Sequence, residues 1–342
     1  MAAKGGTGGP SPPPLEGSSN LRFAVPLLKS GLVIRGSRNI FTVRLPDTPA
    51  LLECRIKGKV LKGVEGFYNP LAPGDLVTVE EEAPPSAAAR ILAVEPRRNR
   101  LTRTRFTRKD LALNPQSASQ VLAANVDIVL CITSPASPPF RPRFLDRALA
   151  QAEIAPAPAV IVCNKWDLFD GDPDTEERLT DFERIGYRVI KASTKTGEGL
   201  EELKKITAGR LSVLVGQSGV GKSSLVNILL PGAETRVGET NRKYDRGNHT
   251  TAMSVLFEGN EENAGARLID TPGIRRLLPD GIEKGDLIYY MKEFSPLAGK
   301  CSYGLSCSHR SEPGCKIMEA VHAGVIHSDR YESFLRIEDE LA

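Results

Sequence analysis

The most chemically specific run in the chain is Gly216-Gln217-Ser218-Gly219-Val220-Gly221-Lys222-Ser223, followed by Ser224. Glycines at this spacing let backbone N–H groups curl around phosphate oxygens. The lysine then reaches the β- and γ-phosphates, and the serine hydroxyl binds Mg²⁺. Such a loop needs a strand before it and a helix after it. The apolar run Leu211–Val215 and the helical pattern Lys222–Leu230 provide them, which argues against an ordinary glycine-rich turn.

A second constellation reads the base. Asn164-Lys165-Trp166-Asp167 follows the apolar run Ala159–Cys163. A carboxylate there accepts two hydrogen bonds from the guanine N1–H and exocyclic amine. Adenine presents an acceptor at that edge and would leave the carboxylate unpaired, so GTP is expected over ATP. Ser193-Thr194-Lys195, just past the run Tyr187–Lys191, suits a second base-contacting loop, although Ser/Thr/Gly after a strand is common loop chemistry. Asp270-Thr271-Pro272-Gly273 ends the run Arg267–Ile269. Asp270 is expected to hold Mg²⁺ through water, and the Gly273 N–H to sense the γ-phosphate. Between these segments lies Gly247-Asn248-His249-Thr250-Thr251, where Thr250 or Thr251 would complete the Mg²⁺ shell. Ras-like enzymes carry a water-orienting Gln directly after the glycine of the third motif. Here that residue is Ile274, which leaves His249 as the nearest titratable candidate for a catalytic role beside Lys222.

A third constellation is metal-binding. Cys301, Cys307, His309 and Cys315 fall within 15 residues and offer three thiolates and one imidazole, a closed tetrahedral set for one structural Zn²⁺. No apolar export segment precedes Leu21, so a disulfide framework is not expected, and Cys54, Cys131 and Cys163 stand singly in apolar stretches.

Residues 97–109 read RRNRLTRTRFTRK, with seven basic residues and no acidic one. Two readings stay open: a solvated linker, or a phosphate-contacting stretch in which Arg97, Arg98, Arg100, Arg103 and Arg105 meet RNA and Phe106 stacks. The chain's net charge of +3 hides this segment. Without it, 38 basic residues face 42 acidic ones.

Elements must bring these pieces together. Residues 28–96 hold five short strand patterns (Leu32–Ile34, Ile40–Leu45, Leu51–Ile56, Asp75–Val79 and Ala89–Val94), consistent with an OB-fold barrel or an SH3-like one. Residues 97–280 alternate apolar runs with helical patterns, the mark of a doubly wound α/β sheet covered on both faces. Residues 281–342 hold the Cys/His cluster and then helical sequence, its last helix opening at Ser328 and Asp329. Residues 1–27 are Gly-, Pro- and Ser-rich at their start and are expected to form a disordered tail. No apolar run approaches the ~20 residues of a membrane span, so no membrane partner is expected.

The nucleotide motifs occur in an unusual order: base Asp, second base loop, phosphate loop, switch Thr, metal Asp. An ordinary GTPase begins with the phosphate loop, so this order is that of a circular permutation. With Gly74-Asp75-Leu76-Val77 in the barrel, the Arg-rich link 96–103, Gly247–Thr251 and Glu312-Pro313-Gly314-Cys315 in the Cys/His segment, the sequence over roughly residues 30–340 resembles the RsgA/YjeQ family. The resemblance implies an N-terminal OB-fold, a permuted P-loop GTPase and a C-terminal zinc domain. It implies a cytoplasmic, monomeric GTP hydrolase that matures the small (30S) ribosomal subunit, binds 16S rRNA and is stimulated by the particle. It also implies a catalytic role for His249. A GTP-sensing RNA-binding module with vestigial hydrolysis is the alternative. Two departures from the family pattern stand out: five residues rather than four separate Cys301 from Cys307, and Ala252 stands where a third Thr is common.

Overall fold

The computed structural model describes residues 27–37, 40–48, 50–58, 61, 64, 67, 69–81, 89–104, 119–232, 253–274 and 277–341. The tail 1–26, Arg105, Phe106 and the whole of Gly247–Thr251 lie outside these residues.

Five strands close a barrel: β1 (Leu27–Ser37), β2 (Ile40–Arg44), β3 (Leu51–Ile56), β4 (Leu76–Glu81) and β5 (Ala89–Val94), in the order β1-β2-β3-β5-β4. Only β3 and β5 pair in parallel, which closes the barrel and leaves no free edge. Alternation drives the closure: Val33, Phe41, Val43, Val77, Val79 and Ile91 point inward and are buried. The barrel is thus of the OB type, and it begins at Leu27, inside the expected tail.

The second unit is a six-stranded sheet of order β10-β9-β8-β11-β13-β12. Its strands are β8 (Ile128–Thr133), β9 (Ala159–Cys163), β10 (Arg188–Lys191), β11 (Leu211–Gly216), β12 (Val255–Glu258) and β13 (Arg267–Asp270). The central strands IVLCIT and LSVLVG are buried at every position, as a sheet with both faces covered requires. Helices α1 (Pro142–Ile154), α2 (Pro173–Arg184), α3 (Leu200–Thr207) and α4 (Lys222–Leu229) cover it. All pairings are parallel except that of the edge strand β12. The chain enters this sheet at β8 and reaches the central β11 only later. Each strand still finds its neighbours, because a parallel sheet fixes spatial adjacency and not chain order.

One element was absent from the sequence reading. The Arg-rich stretch is not a linker: β6 (Arg100–Thr104) pairs antiparallel with β7 (Ser119–Ala124). Leu101 and Leu122 bury themselves in the same core as Val129 and Val213 of the sheet, Leu145 of α1 and Ile34 of the barrel. The ribbon therefore ties barrel to sheet. Pro73 and Gly74 carbonyls accept bonds from the Ala124 N–H and the Asn125 side chain, and Arg44 pairs with Glu258 at 3.0 Å.

The C-terminal unit consists of short 3-10 turns followed by α5 (Lys316–His322) and α6 (Ser328–Glu340). Its core packs Leu287, Phe294, Ile317, Phe334 and Ile337, with Phe294 and Phe334 stacked at 4.8 Å. Helix α6 opens at Ser328 as the sequence indicates, and His327 caps it: the His327 Nδ1 accepts from the Asp329 N–H at 3.1 Å. Arg330, only 1% exposed, joins this unit to the helix layer on the sheet by pairing with Asp146 of α1 and with Glu293. No helix among the described residues is long and apolar enough to cross a membrane.

Candidate functional site

Four motifs sit at the carboxyl ends of parallel strands at one end of the sheet, two on each side of the central β8, where ligands bind in open α/β sheets. Asn164–Asp167 follows β9, Ser193–Lys195 follows β10, the phosphate loop follows β11 and Asp270 ends β13. The cleft between them has a volume of about 510 Å³ and is lined by Lys165, Gly219, Lys222, Ser223 and Asp270, among others.

Inside the phosphate loop the Lys222 ammonium donates to the Gly216 and Gln217 carbonyls at 2.9 and 3.0 Å. Burial pulls its pKa below the ordinary lysine value, and the Asp270 carboxylate opposes that shift. Ser223 Oγ donates to Asp270 Oδ2 at 2.8 Å. A hydroxyl and a carboxylate brought together beside a phosphate-binding lysine are hard oxygen donors suited to Mg²⁺.

The loops hold one another. Asn164 Nδ2 donates to the Val220 carbonyl at 2.9 Å, fastening the base loop to the phosphate loop. Gly221 takes φ +92°, and a Cβ there would lie 2.3 Å from that same Asn164 nitrogen, so only glycine fits. Gly273 approaches Ser218 just as closely: a Cβ would lie 2.8 Å from the Ser218 Cα. This contact sets the third motif against the phosphate loop. Asp167 Oδ1 accepts from Ser193 Oγ at 2.6 Å, while Ser193 Oγ accepts from the Lys195 and Thr196 N–H groups. The Asp167 carboxylate is thereby oriented before any base arrives. Thr194 follows Ser193 in that loop, and Trp166 stacks on Phe169 at 4.2 Å. Ile274 is buried, and its N–H donates to the Gly216 carbonyl. That position therefore supports the loop and orients no water.

The Cys/His cluster is a second built site. Ligand atoms of Cys301, Cys307, His309 and Cys315 all lie within 4.8 Å of one another, and all four residues are buried. His309 Nδ1 lies 3.5 Å from both Cys301 Sγ and Cys315 Sγ, and those two sulfurs are 3.9 Å apart. A tetrahedral zinc with ordinary bond lengths has edges of ~3.8 Å between thiolates and ~3.6 Å between thiolate and imidazole. The donor set thus fits zinc in type and in spacing. Burial pushes the Cys307 thiol up to about 12 and holds the His309 imidazole below its usual range. Such thiols ionise only where a cation offsets the lost solvation. Glu312 braces the loop by accepting from the N–H groups of Ser308, Arg310 and Ser311, so the extra residue between Cys301 and Cys307 leaves the ligands gathered.

The model of the RsgA GTPase family matches residues 94–278. A Chlorobaculum parvum protein named small ribosomal subunit biogenesis GTPase RsgA is 38% identical, over 91% of this chain and 98% of its own length. The chain belongs to the RsgA GTPase family. A Porphyromonas gingivalis relative of the same name is 35% identical over 91% of this chain and 97% of its own. Among solved structures, YjeQ from Thermotoga maritima is 30% identical with a TM-score of 0.67, covering 92% of this chain and 99% of that one. YloQ, described as a circularly permuted GTPase, is 25% identical with a TM-score of 0.62.

In this RsgA-family chain the arginines proposed for RNA fall into separate environments. Arg97 is not a free phosphate contact. Its guanidinium grips the fully buried Asp75 through Nε and Nη2, at 2.7 and 2.8 Å, and also donates to the Pro70 carbonyl. Arg98 pairs with Asp127, and Arg103 donates to Gln120. Arg100 lies over the Phe67 ring at 4.9 Å. No local pattern signals the Arg97–Asp75 pair, whose members are 22 residues apart. His249, Thr250, Thr251 and Arg105 lie outside the described residues. Arg147 was also missed: it donates to the Leu277 carbonyl, just past the third motif, and pairs with Glu340 of α6.

Proposed function

We propose that this chain hydrolyses GTP to GDP and phosphate during biogenesis of the small (30S) ribosomal subunit, binding 16S rRNA in the cytoplasm as a monomer stimulated by the particle. The observation that carries the reading is the joint one. Guanine-selecting loops, a phosphate loop and a metal carboxylate meet at one sheet end, in a chain that also holds an OB barrel and a Cys₃His cluster. Its relatives so named match nearly their whole length.

In this reading Asp167 selects guanine, Lys222 leaves its two loop carbonyls for the β- and γ-phosphates, and the phosphate-loop N–H groups hold the oxygens. Ser223, either Thr250 or Thr251, and Asp270 through water would hold Mg²⁺, which would supply neutralisation of the charge developing on the phosphates. His249 is the candidate for orienting the attacking water. Cys301, Cys307, His309 and Cys315 hold one Zn²⁺, which clamps the C-terminal unit. The units we propose are the barrel 27–96, the GTPase 97–280 and the zinc-binding unit 281–342. A hydrophobic core centred in each unit supports that division, with Ile34 of the barrel and Ala150 of α1 packing across the boundaries.

The test is phosphate release by the purified protein alone, with 30S particles and with 50S particles. Stimulation by 30S only is expected, and equal rates in all three would sink the reading. A second reading, a GTP-sensing RNA-binding module with vestigial hydrolysis, is favoured by Ile274 in the usual place of the water-orienting Gln. Absence of turnover even with 30S particles would select it.

A further inference from the structure

A crevice of about 610 Å³ opens where the barrel, the β6–β7 ribbon, the end of α1 and the start of the C-terminal unit meet. It lies apart from the nucleotide cleft, with which it shares no lining residue. Its walls carry the Phe67 ring from the β3–β4 connection, Arg98 and Arg100 from the ribbon, and Asp280 and Tyr290 from the C-terminal side.

The arginines around it are not equivalent. Arg97 is spent on Asp75, and Arg98 is paired with Asp127 yet remains 61% exposed. No carboxylate among the described residues pairs with Arg100. Its guanidinium carbon instead sits 4.9 Å from the Phe67 centroid, on the exposed side of β6. A guanidinium over an aromatic face keeps its outward N–H groups available to phosphate, and Arg97 faces the same ring at 5.8 Å, so ring and guanidinium planes together form the platform on which a base can stack. Tyr290, half-buried, adds a second ring. Asp280 already accepts from Ser119. It repels phosphate and accepts from base N–H groups. The cavity thus combines a cation for the backbone, rings for stacking and an acceptor for a base edge.

We propose that this junction crevice seats an unstacked nucleotide of single-stranded RNA, its phosphate on Arg100 and Arg98 and its base against Phe67 and Tyr290. Single strands are favoured over duplexes because a paired base cannot leave its stack to reach the rings. The inference rests on the reading that RNA is this chain's partner, and it adds where one strand is gripped. Because three units line the crevice, a strand seated there also fixes their relative placement.

The experiment measures fluorescence anisotropy of a labelled single-stranded oligoribonucleotide of mixed sequence, and of its duplex, with the full-length protein across a salt series. Arg100→Ala should weaken single-strand binding about five- to tenfold and lower the salt-dependence slope by about one. Phe67→Ala should weaken it about five- to hundredfold, with Phe67→Tyr close to wild type. Both alanine variants should retain wild-type unassisted GTP turnover and thermal unfolding. Wild-type affinity in both variants, or a wild type that prefers the duplex, would overturn the inference. Co-sedimentation of the wild type with 30S particles is scored separately. Its presence alongside unchanged variants leaves the proposed function standing and the crevice refuted. Its absence alongside crevice-dependent oligonucleotide binding does the reverse.

Discussion

The nucleotide cleft and the Cys/His cluster are both ligand sites built before any ligand is considered, but they are assembled in opposite ways. The four side chains of the Cys/His cluster fall between residues 301 and 315, and a short loop braced by Glu312 gathers them. The nucleotide groups run from Asn164 to Gly273 and come together only because β9, β10, β11 and β13 end at one edge of a sheet. In the cluster each ligand is a quarter of one coordination shell, so losing one loses the shell. In the cleft each loop contributes its own contact on a scaffold that stands without it.

The comparison can be tested by removal, beginning with the largest effect. Cys315→Ala should abolish stoichiometric zinc and unfold much of residues 301–326, since structural zinc supplies on the order of 10 kcal/mol in small domains. Elemental analysis and hydrogen exchange would show it, with GTP affinity changing only a few-fold. A zinc-replete variant with native protection would break the comparison. Arg330→Met tests the joint between the two regions. It leaves Glu293 buried without its cation and Asp146 with only Arg178, 3.6 Å away, and should cost about 3–5 kcal/mol in urea unfolding. Lys222→Ala should cut GTP turnover by about 10²–10³-fold, the scale of losing one positioned charge donor, while zinc content and unfolding midpoint stay put. Loss of zinc in that variant would mean that the two sites are not separable. Asp167→Asn should be the mildest. It should weaken GTP binding by about 10–100-fold, with a reciprocal gain for xanthosine triphosphate, whose base edge presents an acceptor to the new amide. Titration calorimetry with both nucleotides measures the exchange.

Legibility in the sequence followed the same division. The Cys/His spacing, the phosphate loop and the base motif are local patterns, and the structure gathers each from the residues the sequence named. Strands β2, β3, β5 and β9 fall within a residue of their apolar runs. The failures were non-local. Arg100–Thr104 looked like a charge run because β6 buries Leu101 and Thr102 beneath exposed and half-buried arginines, and its partner β7 begins 15 residues later. The apolar run Val121–Ala124 was the available signal. Arg97 looked like a phosphate ligand because nothing near it in sequence shows the buried carboxylate it neutralises.

The sequence by itself determined the chemistry: which side chains can hold phosphate, guanine and zinc, and in what permuted order they come. Those properties live in residue type and short spacing, which any local conformation of the right kind preserves. Only the tertiary structure decided which charges are available. A guanidinium's role depends on the carboxylate or ring that faces it, and whether Arg97 or Arg100 meets that partner is fixed by the packing of barrel against ribbon. The same packing placed Phe67 beneath Arg100 and brought Asp280 to the same crevice, and so made a cavity from segments that no spacing along the chain connects.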